Sequence, residues 1–137
     1  MAAPTFVLPD IEALVIDALL GMPLLDDLDG RIYSMVPKQR TFPLARVYRY
    51  GGDPLHGGDP YWLDNPSLQI DVWADGRPVA ARLGELLRSC CAQDLPGVWP
   101  LGVVNSTTVS ALVNSDDPTF SPSKPRFRFT MTALVHP

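Results

Sequence analysis

Residues 66–91 constrain the fold of this chain more than any other stretch. Leu68, Ile70 and Val72 alternate with Gln69, Asp71 and Trp73, the period of two expected of a strand with one buried face. Residues 74–78 form a turn, and the period then changes. Val79, Leu83, Leu86, Leu87 and Cys90 make one apolar stripe of an α-helix, with Arg82, Glu85, Arg88 and Ser89 outside it. Asp75 is placed to cap that helix. Pro78 is tolerated in its first turn, where amides have no intrahelical acceptor to lose. A strand feeding an amphipathic helix that lies back on the sheet defines a layered architecture and specifies no chemistry.

The flanking segments extend this unit. Asp10 is a good N-cap for a helix with Ile11, Leu14, Val15, Ala18 and Leu19 on one face, closed by Gly21 near Pro23. Residues 26–30 are a turn cluster, and 32–36 read as a strand ended by Pro37. Residues 44–50 alternate, with Arg46, Tyr48 and Tyr50 on one side and Ala45, Val47 and Arg49 on the other, and read as a strand. Residues 94–101 form a Pro/Gly connection. Residues 102–113 are β-branched and long enough for one strand, with a bulge expected around 105–107. In the last strand Phe127, Phe129, Met131, Ala133 and Val135 face one way and Arg126, Arg128, Thr130 and Thr132 the other. It is expected to pair antiparallel with 102–113. The resulting order α-β-β-β-α-β-β predicts an α+β fold: a mostly antiparallel or mixed five-stranded sheet with two helices on one face. At 137 residues the chain is expected to form one domain, 1–137.

Charge and cysteine content exclude several classes. A net charge of -4 argues against a protein built to grip nucleic-acid phosphates. Residues 1–30 hold six acids and no Lys or Arg, whereas the last fourteen residues hold Lys124, Arg126 and Arg128 and no acid. This asymmetry suits either a solvated acidic face or contact between one subunit's start and another's end. Arg46 and Tyr48 share a strand face in the manner of a stacking platform, but Arg49 does not join them, so a solvated face accounts for the pattern better. Cys90 and Cys91 are adjacent at the end of the predicted helix, where only Cys90 is expected on the apolar stripe. They lack the spacing of a zinc site, and two free thiols suit a reducing compartment. Neither a signal-peptide pattern nor a membrane-spanning apolar run is expected.

The stretch 51–66 contains Gly-Gly-Asp-Pro twice and reads as a long turn-rich loop between strands. Tyr61 and Trp62 are costly to leave in water and are residue types that anchor interfaces, which favours a binding arm over an idle hairpin tip. Asp53, His56 and Asp59 could together hold a divalent ion, although such a trio arises easily by chance in a loop of this composition. No nucleophile elbow, dinucleotide fingerprint, phosphate-binding loop or zinc-protease motif occurs, so neither an enzyme nor a cofactor is expected.

Five segments carry a family resemblance over nearly the whole chain. They are Pro9-Asp-Ile-Glu-Ala-Leu-Val-Ile-Asp-Ala-Leu19, Leu68-Gln-Ile-Asp-Val-Trp-Ala74, Ala80-Ala-Arg-Leu-Gly-Glu-Leu-Leu87, Gly102-Val-Val-Asn105 and the final strand stopping at Val135-His-Pro137. In these the chain resembles the tail terminator (tail completion) proteins of long-tailed bacteriophages, particularly those of phages infecting actinobacteria. The resemblance implies a virion structural protein of the tail or neck, assembled in the host cytoplasm and forming a hexameric ring. Such a ring caps the tail tube, stops its polymerisation and presents the head-joining surface. Its implied partners are further copies of itself, the tail tube protein and a head-completion or connector protein. Genomic DNA would pass through the lumen without specific binding, and no membrane is involved. Interface candidates on this reading are Asp53, His56, Asp59, Tyr61 and Trp62 in the first loop, Asp116, Asp117 and Phe120 in the 114–125 loop, and Arg126 and Arg128 on the last strand. Alternatives are a head–tail connector or stopper of the same region, or a small metal- or ligand-binding host domain.

Overall fold

The computed structural model describes residues 10–56, 62–98, 104–115 and 124–135, and every side chain within these except those of 53–56, 62–64, 97–98 and 104–106. Helix α1 (Ile11–Leu20) begins and ends on the residues that its sequence predicts. The Asp10 carboxylate accepts from the Ala13 amide at 3.3 Å, and the Gly21 amide returns to the Ala18 carbonyl. Ile11, Val15 and Leu19 are buried one turn apart. A 3-10 turn, Pro23–Leu28, then buries Leu25 and Leu28 before the chain reverses through Asp29 and Gly30, both at positive φ.

Strand β1 (Ile32–Tyr33) is shorter than the expected 32–36 and runs parallel to β2 (Leu44–His56), with Ile32 opposite Ala45 and Tyr33 opposite Arg46. Its early end has a packing cause. Beyond Tyr33 the chain crosses to the sheet face turned away from the helices, where Tyr33, Val36 and Phe42 pack on the fully buried Leu44 and Trp73.

Residues 51–56 and 62–66 are strand, not loop. β2 and β3 (Trp62–Trp73) pair antiparallel from Leu44 opposite Trp73 to His56 opposite Trp62, with one register shift between Arg49 and Gly51. The Gly-Gly-Asp-Pro sequence reads locally as a turn, yet Gly52 serves a register shift instead. At φ 106 it adopts a backbone that side chains disfavour, and a Cβ there would lie 2.7 Å from Pro66 Cα and from Ser67 N. A glycine at this point lets two strands pass close together.

Helix α2 (Arg77–Ser89) carries Pro78 in its first turn as expected, but its N-cap is Gly76, with no side-chain cap. Asp75 lies one residue too early and instead accepts from Lys124 Nζ at 2.7 Å. The buried stripe is Ala80, Leu83, Gly84 and Leu87, while Val79 is exposed. The helix is therefore turned by about one residue from the predicted stripe, and Gly84 lies under the ends of Leu112. The expected 94–101 connection stays helical at first: a π turn, Cys90–Asp94, runs into a short helix α3, Leu95–Val98, with Leu95 fully buried.

The expected strand over 102–113 is two pieces, β4 (Val104–Val109) and β5 (Val113–Asn114), both antiparallel to β6 (Arg126–Val135). The anticipated bulge is present as a register shift between Val104 and Ser106. β6 alternates buried and half-buried residues along its whole length. Among the described residues the sheet therefore has six strands, one more than expected, in the order β1-β2-β3-β6-β4 with β5 also on β6, and is mixed because only β1 is parallel to its neighbour.

Helices α1 and α2 cover one face. Between them and the sheet lies a core built on Val15, Leu19, Val47, Leu68, Ile70, Leu83, Leu87, Phe129 and Met131. Each such side chain contributes about 1.5–3 kcal/mol when fully buried. No described helix is long and apolar enough to cross a membrane.

Candidate functional site: the Arg-lined outer face of the sheet

Strand alternation leaves a second set of side chains on the face opposite the helices. The registers arrange them in rows across three strands: Leu44–Trp73–Arg126, Arg46–Asp71–Arg128 and Tyr48–Gln69–Thr130. The middle row holds the one fully buried charged residue among those described, Asp71, whose side chain has no solvent exposure. A carboxylate removed from water needs paired charge and hydrogen bonds to offset its lost hydration. Asp71 has both. Its Oδ2 accepts from Arg46 Nη2 at 2.7 Å and Nε at 3.2 Å, and Gln69 Nε2 donates to Oδ1 at 3.0 Å. Arg128 Nε stands 3.6 Å from Oδ1, an ion pair without hydrogen-bond geometry.

One carboxylate thus serves two guanidiniums, and the row keeps a net positive charge in a chain whose total is -4. The side chains of Arg46 and Arg128 remain 29% and 34% exposed, so this charge is displayed to solvent. The Arg46 guanidinium is held further by stacking 4.4 Å over Tyr48 and 5.4 Å from Trp73. In the row below, Arg126 Nε donates to the Ser115 carbonyl at 2.7 Å, and its guanidinium lies 5.9 Å from Trp73. The arrangement is a rigid cationic and aromatic surface suited to docking an acidic partner. Among the described residues it offers no activated nucleophile.

A second feature lies at the β1 edge. A cleft of about 380 Å³ opens between α1 and β1, lined by Asp10, Glu12, Ile16, Asp17, Tyr33 and Met35. The Glu12 carboxylate also accepts from the Arg49 backbone amide at 2.7 Å, tying the start of α1 to β2 at the bulge. Met35 is largely exposed at its rim.

Both cysteines are buried, against the expectation that Cys91 would face outward. They occupy the π turn, whose wider loop rotates consecutive residues by a smaller angle than an α-helix does, so both side chains point inward. Burial, with nearby Asp94 adding to it, pushes the Cys90 thiol up to about 11. Burial raises the Cys91 thiol further, and neither is poised as a nucleophile.

The sequence-derived candidates fall into three groups. Arg126 and Arg128 lie on the outer face together with Arg46, Asp71 and Trp73. Asp53, His56 and Trp62 lie on the distal β2–β3 hairpin, where His56 pairs with Trp62 across the strands. Asp59, Tyr61, Asp116, Asp117 and Phe120 lie outside the described residues. Sequence reasoning missed Asp71 and Gln69. Their signal is a cross-strand pairing of opposite charges, legible only once the register is known.

No protein-family model matches the sequence, and no curated protein does. Among solved structures the chain is similar to a chain of a structure described as "Virion of native gene transfer agent (GTA) particle". The two share 17% identity over 93% of this chain and 95% of that one, with a TM-score of 0.66. At that identity the likeness is one of fold.

Proposed function

We propose that this chain is a non-enzymatic structural protein of a phage or phage-like virion, acting at the tail or neck as a tail terminator. On this reading six copies close a ring on the end of the tail tube, stop its polymerisation and present the surface to which the head joins. The carrying observation is the fold likeness to a chain of a gene transfer agent virion particle, which spans almost all of both chains. The tail-terminator resemblance of residues 9–19, 68–74, 80–87, 102–105 and 127–137 narrows it to this role.

The architecture suits assembly. A ring needs two different patches that meet, and the chain has a cationic sheet face, an acidic cleft and a hairpin arm in three separate places. The proposed contacts to the tail tube and the head-completion protein include the 51–66 segment with Asp53, His56, Asp59, Tyr61 and Trp62, and the 114–125 segment with Asp116, Asp117 and Phe120. Genomic DNA passes through the lumen without being gripped, in keeping with the acidic balance of the chain.

Light scattering and electron microscopy of the purified protein, alone and with tail tube protein, test this reading. Rings on tube ends, at about six times the 15.0 kDa subunit mass, are expected. A chain that binds portal-side proteins and ignores the tube would instead be a connector or stopper.

A further inference from the structure

We infer that the outer sheet face of one copy docks onto the acidic α1–β1 cleft of a second copy, Arg46 and Arg128 meeting Asp10, Glu12 and Asp17. The inference rests on the ring reading above and specifies which two surfaces meet. Charge complementarity carries it. The Arg46–Asp71–Arg128 row has one positive charge in excess on a face that no described element covers beyond the Trp73 end. The cleft holds three carboxylates, none ion-paired among the described residues.

The two surfaces are unlike in shape as well as charge. The cationic one is a sheet face, and the acidic one is a concavity of about 380 Å³ rimmed by the exposed Met35. They also lie in different parts of the subunit, one on the layer opposite the helices and the other at the β1 edge on the helix side. Joining one to the other leaves the first copy with its cleft unused and the second with its sheet face unused, so the contact is heterologous and closes as a ring when the rotation allows.

Preorganisation favours the sheet face as the donor surface. Asp71 and Tyr48 already hold the Arg46 guanidinium, so less side-chain freedom is lost on docking than for a free arginine. Two copies that each carry -4 repel one another overall, so the attraction must be local and should weaken with salt.

Sedimentation of the full chain over a range of concentrations, at low and high salt, tests this. Self-association is expected to weaken with salt and to fall about tenfold or more in Asp17→Lys. Thr130→Glu places an acid on the same sheet face without altering the Arg46–Asp71–Arg128 row, and should weaken association similarly. Both changes in one chain restore opposite charges across the contact and should regain association. Circular dichroism confirms that each variant is folded. Association unaffected by either single change overturns the inference while leaving a ring built through other surfaces standing. A chain that never self-associates also overturns it, and the proposed function is then judged on tail length alone.

Discussion

Arg46 and Asp71 face each other across β2 and β3, and the 2.7 Å contact between them buries a carboxylate completely on the sheet face that carries no helix. Arg128 on β6 approaches the same carboxylate from the other side, so one side chain ties three strands together. The pairing also fixes the orientation of the cationic surface that we assign to docking.

Removing the carboxylate leaves two guanidiniums side by side with no counter-charge. Asp71→Ala is expected to lower unfolding free energy by about 3 kcal/mol, the low end for breaking a buried pair because both arginines keep partial solvent contact. Asp71→Asn preserves shape and keeps one accepting oxygen, although its NH2 must face donors on the other side, and should lose less. Urea unfolding of the two variants measures this, and a loss in Asp71→Ala below about 1 kcal/mol would contradict the account.

Gly52 adopts a φ of 106, and a Cβ there would collide with the Asn65 carbonyl and the Pro66 backbone. Backbone atoms cannot swing aside as a side chain can. Gly52→Ala should cost about 1–3 kcal/mol and should loosen the distal hairpin first. Amide exchange at residues 62–68 should quicken in the variant. Unchanged protection there would show that the close passage of the strands is not needed.

At Gly84 two effects compete. An added Cβ would lie 2.9 Å from Leu112 Cδ1, but that atom is the far end of a flexible side chain. Alanine in a helix interior is favoured over glycine by about 1 kcal/mol. Gly84→Ala is therefore expected to be neutral or mildly stabilising in thermal melts. Gly84→Leu, which cannot fit beneath Leu112 and Phe127, should be clearly destabilised.

Both thiols are buried, and Cys90 is pushed up to about 11, so each stays protonated at pH 8. A thiol reagent should leave Cys90 and Cys91 unlabelled in the folded protein and label both in urea. Rapid labelling of either under native conditions would contradict the inward placement that the π turn gives them.

Trp62 opens β3 opposite His56, and Tyr61 precedes it in sequence. Replacing both with alanine is expected to lower ring or tube-end assembly while changing the melting temperature little. A large stability loss with unchanged assembly would make them packing residues.

Much of the framework was readable from local pattern. The caps of α1 and the alternation of β6 need only neighbours in sequence, and the pattern places both elements within a residue or two. What escaped depends on distant partners. Residues 51–56 look like a turn because Gly and Pro punctuate chains, and only the ladder to 62–67 makes them a strand. Trp73 belongs to the polar face of its strand by period, yet it is buried because residues 33–42 cross over it. Asp71 likewise becomes a buried hub only when β2 and β6 flank β3, a sheet order that no local signal encodes.

The most direct test of the proposed tail-terminator role is the length of tails made when the gene for this chain is deleted. The account predicts overlong tubes without attached heads, restored to normal length and joined to heads when the chain is supplied in trans. Tubes of normal length in the deletion would contradict it.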